Sequence, residues 1–205
     1  MYEEIVSNKL AVDVNVNTGK EYTSMDEIVK EAVENDCDAV VNCTGIGSQI
    51  LCNDTELVGA RGIIFHYDRN CARWTDPNMI NDAVLGADDS PWGGDQPCYM
   101  IPRGDILAVG GSYLLGDKEK GIRLSERMQL EQNANLMGID TDRAKPIGEW
   151  TGFRPYRPGV KLETDTKFGE KEGVKVVHNY GHGGSGWTVF VGAAKEVAKL
   201  LGKAN

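Results

Sequence analysis

The sequence has no long apolar run and no excess of basic charge. No stretch approaches the roughly 20 apolar residues that a membrane helix requires. Lys and Arg number 22 against 31 Asp and Glu, which gives a formal net charge of -9. Binding of nucleic acid through a basic face requires clustered Lys and Arg. We therefore expect neither a nucleic-acid partner nor a membrane partner.

The five cysteines include no CxxC pair. An odd number without that spacing indicates neither a zinc site nor a disulfide framework, and we expect no metal site. Residues 1–8 lack the apolar segment of a secretory signal, and residues 203–205 are not a peroxisomal SKL-type address. A cytoplasmic or peroxisomal location remains open, and we favour the cytoplasm.

The N-terminal third alternates strand and helix patterns. Residues 9–16 place an apolar side chain at every second position, as in a half-buried strand. Ser24 and Glu27 form a capping-box pattern before an apolar helical face that Asn35 interrupts. Residues 39–43 predict a buried strand that leads into a turn at Thr44.

The middle of the chain indicates an antiparallel sheet, with strands at residues 62–67, 99–102 and 105–111. Residues 76–96 are dense in Asn, Asp, Gly and Pro and predict a long surface loop. A helix is expected at 125–137, ended by Gly138, with Met128, Leu130 and Leu136 as its apolar contacts. A strand at 174–180 and a helix at 187–201 complete the pattern.

Gly181, Gly183 and Gly186 satisfy GxGxxG between that strand and that helix. A dinucleotide fold needs a further strand after the helix, and no such strand is predicted before Asn205. Glycines before a helix allow the backbone to approach a flat or anionic ligand closely. The residues alone leave two interpretations open, a cofactor contact or a turn required only for packing.

Two longer motifs carry a family resemblance. Residues 178–188, HNYGHGGSGWT, resemble the C-terminal signature of D-amino-acid oxidases and D-aspartate oxidases, and residues 151–158, TGFRPYRP, resemble the GFRPxRP element of the same family. The resemblance runs from residue 38 to residue 203, and the family's N-terminal strand, GxGxxG turn and helix have no match before Asp38. The chain thus resembles the C-terminal portion of such an oxidase.

The resemblance implies an α/β fold of two parts. Residues 1–60 and 170–205 are expected to form an incomplete Rossmann-like part that binds FAD. Residues 61–169 are expected to form a mixed, largely antiparallel sheet that binds the substrate.

The resemblance also implies roles for three substrate-binding residues. Arg154 matches the arginine that holds the substrate carboxylate, and a guanidinium suits this role because it can donate two parallel hydrogen bonds. Tyr99 matches a tyrosine whose hydroxyl also binds the carboxylate. The carbonyl of Gly184 matches the group that accepts a hydrogen bond from the substrate amine.

The cofactor implied is FAD, and the implied reaction is oxidative deamination of a D-amino acid to a 2-oxo acid, ammonia and hydrogen peroxide, with molecular oxygen as the oxidant. The family's mobile active-site tyrosine is replaced here by Asp95, and Trp92 could form a different lid. The expected flavin contacts lie in the two turns and are Thr44, Gly183, Gly184, Ser185, Gly186, Trp187 and Thr188.

Three alternatives stay open at this point. A neutral D-amino acid is the leading substrate, whereas D-aspartate would require extra cationic groups, for which Arg103 and Lys161 are candidates. A truncated, non-catalytic chain is the third, and a homodimer or a second chain could supply the missing segment. We expect His178 and His182 to be structural, and Cys43 to be a small buried residue.

Overall fold

The computed structural model describes residues 19–71, 83–85 and 97–202. The predicted strand at 9–16 lies outside the described residues, as does most of the predicted loop at 76–96, including Trp92 and Asp95. None of the helices in the described ranges is long and apolar enough to span a membrane.

Helices and strands alternate at both ends of the chain, with strands dominating between them. The helices are α1 (Met25–Glu34), α2 (Ser48–Leu51), α3 (Leu124–Leu136) and α4 (Gly186–Leu200). Short 3-10 turns occupy Gly45–Gly47, Arg69–Cys71 and Gly183–Ser185. The strands are β1 (Ala39–Asn42), β2 (Val58–Asp68), β3 (Val84–Leu85), β4 (Tyr99–Arg103), β5 (Ile106–Gly110), β6 (Leu114–Leu115), β7 (Gly148–Thr164) and β8 (Lys175–His182).

All eight strands belong to one mixed sheet, which confirms the predicted fold class. Its order is β1-β8-β7-β2-β5-β4-β3, and β6 pairs with β2. β1 and β8 are parallel, and the other pairs are antiparallel. The two parallel strands therefore run in the same direction, and β8 continues to His182 beyond the end of β1 at Asn42, which pairs with His178.

Helix α1 begins where the capping pattern predicts. The Ser24 hydroxyl accepts a hydrogen bond from the Glu27 amide at 3.3 Å, and the Glu27 carboxylate accepts one from the Thr23 amide at 2.9 Å. The first bond satisfies a free amide of the first turn, and the second ties the helix to the residue before its N-cap. The helix packs Met25 and Val29 into a small apolar cluster beside β8.

Strand β1 is not the buried strand that its apolar run predicted. The Val41 side chain is 39% exposed. Within the described part of the chain β1 pairs only with β8, so it lies at an edge of the sheet. A continuous apolar run is typical of a strand covered on both faces. In β1 the face that carries Val41 is left partly exposed.

The main apolar core lies on one face of the sheet, under α3. Ile63, Phe65 and Tyr67 of β2 pack there with Leu130 of α3 and with residues of β4 and β5. The predicted contacts of α3 were only partly right, because Leu130 is buried while Met128 and Leu136 are exposed. The apolar residues of this helix follow a weak periodicity, so the sequence did not show which of them face the core. In the structure a narrow stripe of the helix packs against the sheet.

Strand β7 is the element that periodicity did not reveal. It extends over 17 residues and contains the whole TGFRPYRP motif. Its pairing with β8 shifts register between Tyr156 and Lys161, across Pro158. Proline is normally confined to strand edges and irregularities. Pro155 and Pro158 therefore argue against a strand in the sequence, although β7 joins the two halves of the sheet.

Burial predicts the response of two leucines on α3. Leu130 is 1% exposed and Leu136 is 55% exposed. Leu130→Ala should lower the free energy of unfolding by about 2–5 kcal/mol, because it leaves a cavity in the core. Leu136→Ala, the matched control, should change it by less than about 0.5 kcal/mol. Urea unfolding measures both, and equal losses would contradict this packing.

Candidate functional site

Arg154 and Tyr99 project from the same face of the sheet, opposite the α3 core. Arg154 pairs with Ala60 of β2, while Tyr99 pairs with Gly110 of β5, which in turn pairs with Ile64 of β2. Directly paired residues share a face, and so do residues two apart on one strand. Register therefore places both predicted substrate residues on one surface.

Glycines leave room for these two side chains. A Cβ at Gly62 would lie 2.1 Å from Nη1 of Arg154, and a Cβ at Gly110 would lie 2.2 Å from Cζ of Tyr99. No real Cβ tolerates such distances, so both side chains lie directly over glycine backbone. The guanidinium and the phenol consequently lie low against the sheet.

The two side chains converge on the segment 110–112. The Tyr99 hydroxyl lies 3.1 Å from the position of a Cβ at Gly111, and Nη1 of Arg154 donates a hydrogen bond to the Ser112 carbonyl at 3.0 Å. The guanidinium also lies 5.7 Å from the centre of the Tyr113 ring, within the range of a cation–π contact. These contacts hold Arg154 in one orientation.

Gly184 lies beside Arg154, so the structure brings these two predicted residues together. A Cβ at Gly184 would lie 3.6 Å from Cδ of Arg154. Gly183 has a φ of +56°, and a Cβ there would lie 3.1 Å from the Tyr113 hydroxyl. The turn after β8 thus packs against the Arg154 face through Tyr113, a residue that no motif of the sequence predicted.

The predicted cofactor residues follow the carboxyl ends of the parallel strands. Asn42 pairs with His178, and β8 continues to His182. Both turns lie against β7, because a Cβ at Gly45 would lie 3.5 Å from Cγ of Pro155 and a Cβ at Gly183 would lie 3.6 Å from Cδ2 of Tyr156. Helix α4 starts at Gly186, and its N-terminal amides favour an anionic or electron-rich ligand. Thr44, Gly184, Ser185, Trp187 and Thr188 are all exposed, so this edge is accessible.

A buried polar chain holds the Thr44 turn. The Asn42 side-chain oxygen accepts hydrogen bonds from the Thr44 amide at 3.1 Å and from the Thr44 hydroxyl at 2.8 Å. The Asn42 amide nitrogen lies 3.1 Å from Nδ1 of His178, whose Nε2 lies 2.9 Å from the Asp165 carboxylate. His178 therefore accepts at Nδ1 and donates at Nε2. Its structural role is as predicted.

A second polar cluster ties the RP end of the motif to the loop before β2. The Asp54 carboxylate accepts hydrogen bonds from the Tyr180 hydroxyl at 2.8 Å and from Nε of Arg157 at 3.1 Å. Burial tends to raise the pKa of Asp54, but Tyr180 and Arg157 outweigh it and hold that pKa below its ordinary value. Burial and the same hydrogen bond raise the pKa of Tyr180.

The structure also shows the surroundings of three other residues for which the sequence predicted a role or an environment. Cys43 is exposed rather than buried, because it follows the edge strand β1. Arg103 lies at the far end of β4, where its partner Ile106 pairs with Asp68, well away from the Arg154 row. Lys161 forms an ion pair with Glu163 at 3.6 Å. No cluster of metal-binding side chains occurs among residues 19–71, 83–85 and 97–202.

The family of FAD-dependent oxidoreductases (DAO) matches residues 5–200 of the sequence. The chain belongs to this family.

Curated members of the DAO family align with most of the chain. D-aspartate oxidase of Homo sapiens is 30% identical over 164 residues, which cover 80% of this chain and 44% of that protein. D-amino-acid oxidase of Dictyostelium discoideum is 32% identical over 168 residues, with 81% and 44% covered. The chain therefore spans less than half the length of these relatives.

Solved structures share the fold. Glycine oxidase from Geobacillus kaustophilus superimposes with a TM-score of 0.59 at 19% identity, covering 82% of this chain and 42% of that one. L-proline dehydrogenase from P. horikoshii gives 0.58 at 13% identity, with 80% and 42% covered. At these identities the likeness concerns the fold alone.

The family's cofactor is FAD, and the exposed turns that follow β1 and β8 are chemically suited to hold part of that group. The edge combines an exposed threonine, an accessible glycine turn and the N-terminus of α4. The turn also lies beside Arg154 through Gly184. A flat group placed at this turn would be adjacent to the Arg154 face.

The Asp54 cluster predicts a pH dependence of stability. Since folding lowers this pKa, the stabilisation is complete above the unfolded-state value of about 3.9 and is lost as pH falls through the lower native value. Asp54→Asn should therefore destabilise the chain near neutral pH and flatten the fall in stability below about pH 4. Urea midpoints across that range measure this. Asp38→Asn, at an exposed position, is the control and should leave the pH profile as in wild type.

The glycine beneath Arg154 predicts a steric effect at the site. Gly62→Ala should displace the guanidinium, whereas a Cβ at Gly152, the residue paired with Gly62, meets nothing within 4 Å. The Nε–H resonance of Arg154, assigned by its loss in Arg154→Lys, should move in Gly62→Ala and stay in place in Gly152→Ala. An unmoved resonance in both variants would contradict the placement of Arg154 over Gly62.

Proposed function

We propose that this chain carries the substrate-binding part of a D-amino-acid oxidase, with Arg154, Tyr99 and Gly184 as its substrate residues. The reaction converts a D-amino acid, oxygen and water into a 2-oxo acid, ammonia and hydrogen peroxide. The observation that carries the proposal is the position of Arg154, held over Gly62 and beside the glycine turn. Bound FAD would accept the hydride and pass the electrons to oxygen.

The residues of the chain would bind and orient the substrate. The Arg154 fork would bind the carboxylate with two charge-assisted hydrogen bonds, which fix direction as well as position. The Tyr99 hydroxyl, on the same face, would donate to the same carboxylate. The Gly184 carbonyl would accept from the substrate amine. Together these contacts leave the Cα hydrogen directed toward the β1–β8 edge.

The surroundings of Arg154 favour a neutral substrate over D-aspartate. The guanidinium contacts the ring of Tyr113, and Tyr156 packs edge-to-face on that ring at a centroid distance of 6.2 Å. In the described part of the chain, the two sequence candidates for a second cation lie elsewhere. Arg103 is at the other end of the face, and Lys161 is paired with Glu163.

An apolar row next to Arg154 would receive the substrate side chain. Ile64 pairs with Trp150 on one side and with Gly110 on the other, and Gly110 pairs with Tyr99. All four residues share the Arg154 face. Trp150 is 66% exposed and therefore available to a ligand. We infer that apolar D-amino acids are preferred, with D-aspartate oxidation as the alternative.

The FAD-binding half requires more than the described residues provide. We infer that residues 1–60 with 170–205 contribute to this half and that residues 61–169 bind the substrate. β1 has a free edge within the described sheet, and α4 exposes Trp187 and Phe190 while burying only Ala193. A free parallel edge beside an apolar helix is a surface that a further strand and helix would cover.

A second candidate function follows from that surface. The chain would be inactive alone and would act with a second chain, or a second copy, that supplies the remaining cofactor contacts. We place the protein in the cytoplasm in either case. The two candidates differ in whether the isolated chain retains FAD.

The test is FAD binding followed by anaerobic bleaching. The purified chain with added FAD should lose flavin absorbance on addition of D-alanine but not L-alanine. D-leucine should reduce it faster than D-aspartate. Arg154→Ala should lower the rate by at least about 10²-fold, since it removes the carboxylate contact.

One control variant and three possible outcomes complete the test. Arg103→Ala, at the far end of the sheet face, should bleach like wild type. Flavin binding without stereospecific bleaching would contradict the proposed oxidase, whereas absence of flavin binding would favour the second candidate. Faster reduction by D-aspartate would overturn the neutral-substrate assignment.

A further inference from the structure

A small apolar pocket lies near the start of β2, away from Arg154. It has a volume of about 290 Å³, close to the lower limit of about 300 Å³ for small-molecule sites. Ile46, Val58 and Phe153 contribute apolar walls, and Lys118 and Lys120 line it as well. We call this the Phe153 pocket.

The Phe153 pocket is distinct from the proposed substrate site. Phe153 precedes Arg154 on β7 and pairs with Arg61, so its side chain projects from the opposite face of the sheet. Its ring packs over Gly59, where a Cβ would lie 3.3 Å from Cδ1. The Gly116 amide donates to the Gly59 carbonyl at 2.9 Å, and both residues line the pocket.

One acidic residue, Asp117, lines the pocket itself, and its carboxylate is already engaged. Arg123 donates to both oxygens of the Asp117 carboxylate, at 2.7 and 3.0 Å, and holds the pKa of Asp117 at about 2. Glu126 receives two hydrogen bonds from buried Arg61. Glu119 accepts from the Gly121 amide at 2.9 Å. Each carboxylate is therefore satisfied by groups outside the pocket.

The two lysines are the charges left for a ligand. Lys118 and Lys120 are exposed and form no ion pair within the described part of the chain. Gln49 also lines the pocket, and its side-chain amide is held by a hydrogen bond to the Leu57 carbonyl at 3.0 Å. An apolar cavity with ammonium groups among its lining residues is complementary to a molecule with an apolar body and one anionic end.

We propose that the Phe153 pocket binds a small amphipathic monocarboxylate, with its chain against Phe153, Ile46 and Val58 and its carboxylate at Lys118 and Lys120. The ligand would contact Phe153, which precedes Arg154 on β7 but projects from the other face, and Ile46 in the turn that follows Thr44. The proposal does not require FAD or the oxidase reaction.

Titration of the intact chain with octanoate tests the proposal. Isothermal calorimetry should show one site, and the Gly116 amide and the Gln49 side-chain amide should shift in ¹H–¹⁵N spectra. Octanol and octylammonium, which share the chain but lack the carboxylate, should bind at least about ten-fold more weakly. Equal binding of the three probes would overturn the assignment of the lysines.

Variants separate this pocket from the Arg154 site, which could also attract a carboxylate. Lys118→Gln/Lys120→Gln should weaken octanoate binding by about ten-fold, while Arg154→Ala should leave it unchanged. Lys171→Gln/Lys195→Gln removes the same net charge from exposed positions and should have no effect. Octanoate binding lost in Arg154→Ala, or kept in Lys118→Gln/Lys120→Gln, would overturn the proposal.

Discussion

The pairing of β7 with β2 is the constraint on which the rest of the structure depends. It runs from Val58↔Tyr156 to His66↔Gly148, and it divides β7 between two surfaces. Arg154 takes one face and Phe153 the other. A shift of one residue would exchange them, which would bury the guanidinium in place of an apolar ring. The apolar core under α3 fixes which face of β2 carries Ile63 and Phe65, and the opposite face is the one left for Arg154.

Glycine makes that register compatible with a binding site. Side chains at 62 and 110 would occupy the space of the Arg154 guanidinium and the Tyr99 ring. Their absence lets both groups lie on the sheet, where contacts with Ser112 and Tyr113 hold the guanidinium. The position of the guanidinium therefore depends on the absence of side chains at Gly62 and Gly110 as well as on its own contacts.

Much of the fold follows from local sequence, but the geometry of the site does not. The Ser24 cap, the strands β2, β4 and β5 and the glycine turn before α4 were all predictable, because each is set by neighbours in sequence. Tyr113 was missed, although it directly follows Gly110–Gly111 and Ser112, because its contacts with Arg154 and the Gly183 turn are made across strands. Cys43 and Val41 were expected to be buried, and their exposure reflects the edge position of β1.

We propose that the Arg154 guanidinium binds a substrate carboxylate on the face where it lies over Gly62. The most direct measurement is a crystal structure of the protein with D-alanine bound under anaerobic conditions. The account predicts both carboxylate oxygens within about 2.7–3.2 Å of the Arg154 guanidinium, with the amine near the Gly184 carbonyl. A ligand carboxylate held elsewhere, with Arg154 still bound only to Ser112, would contradict it.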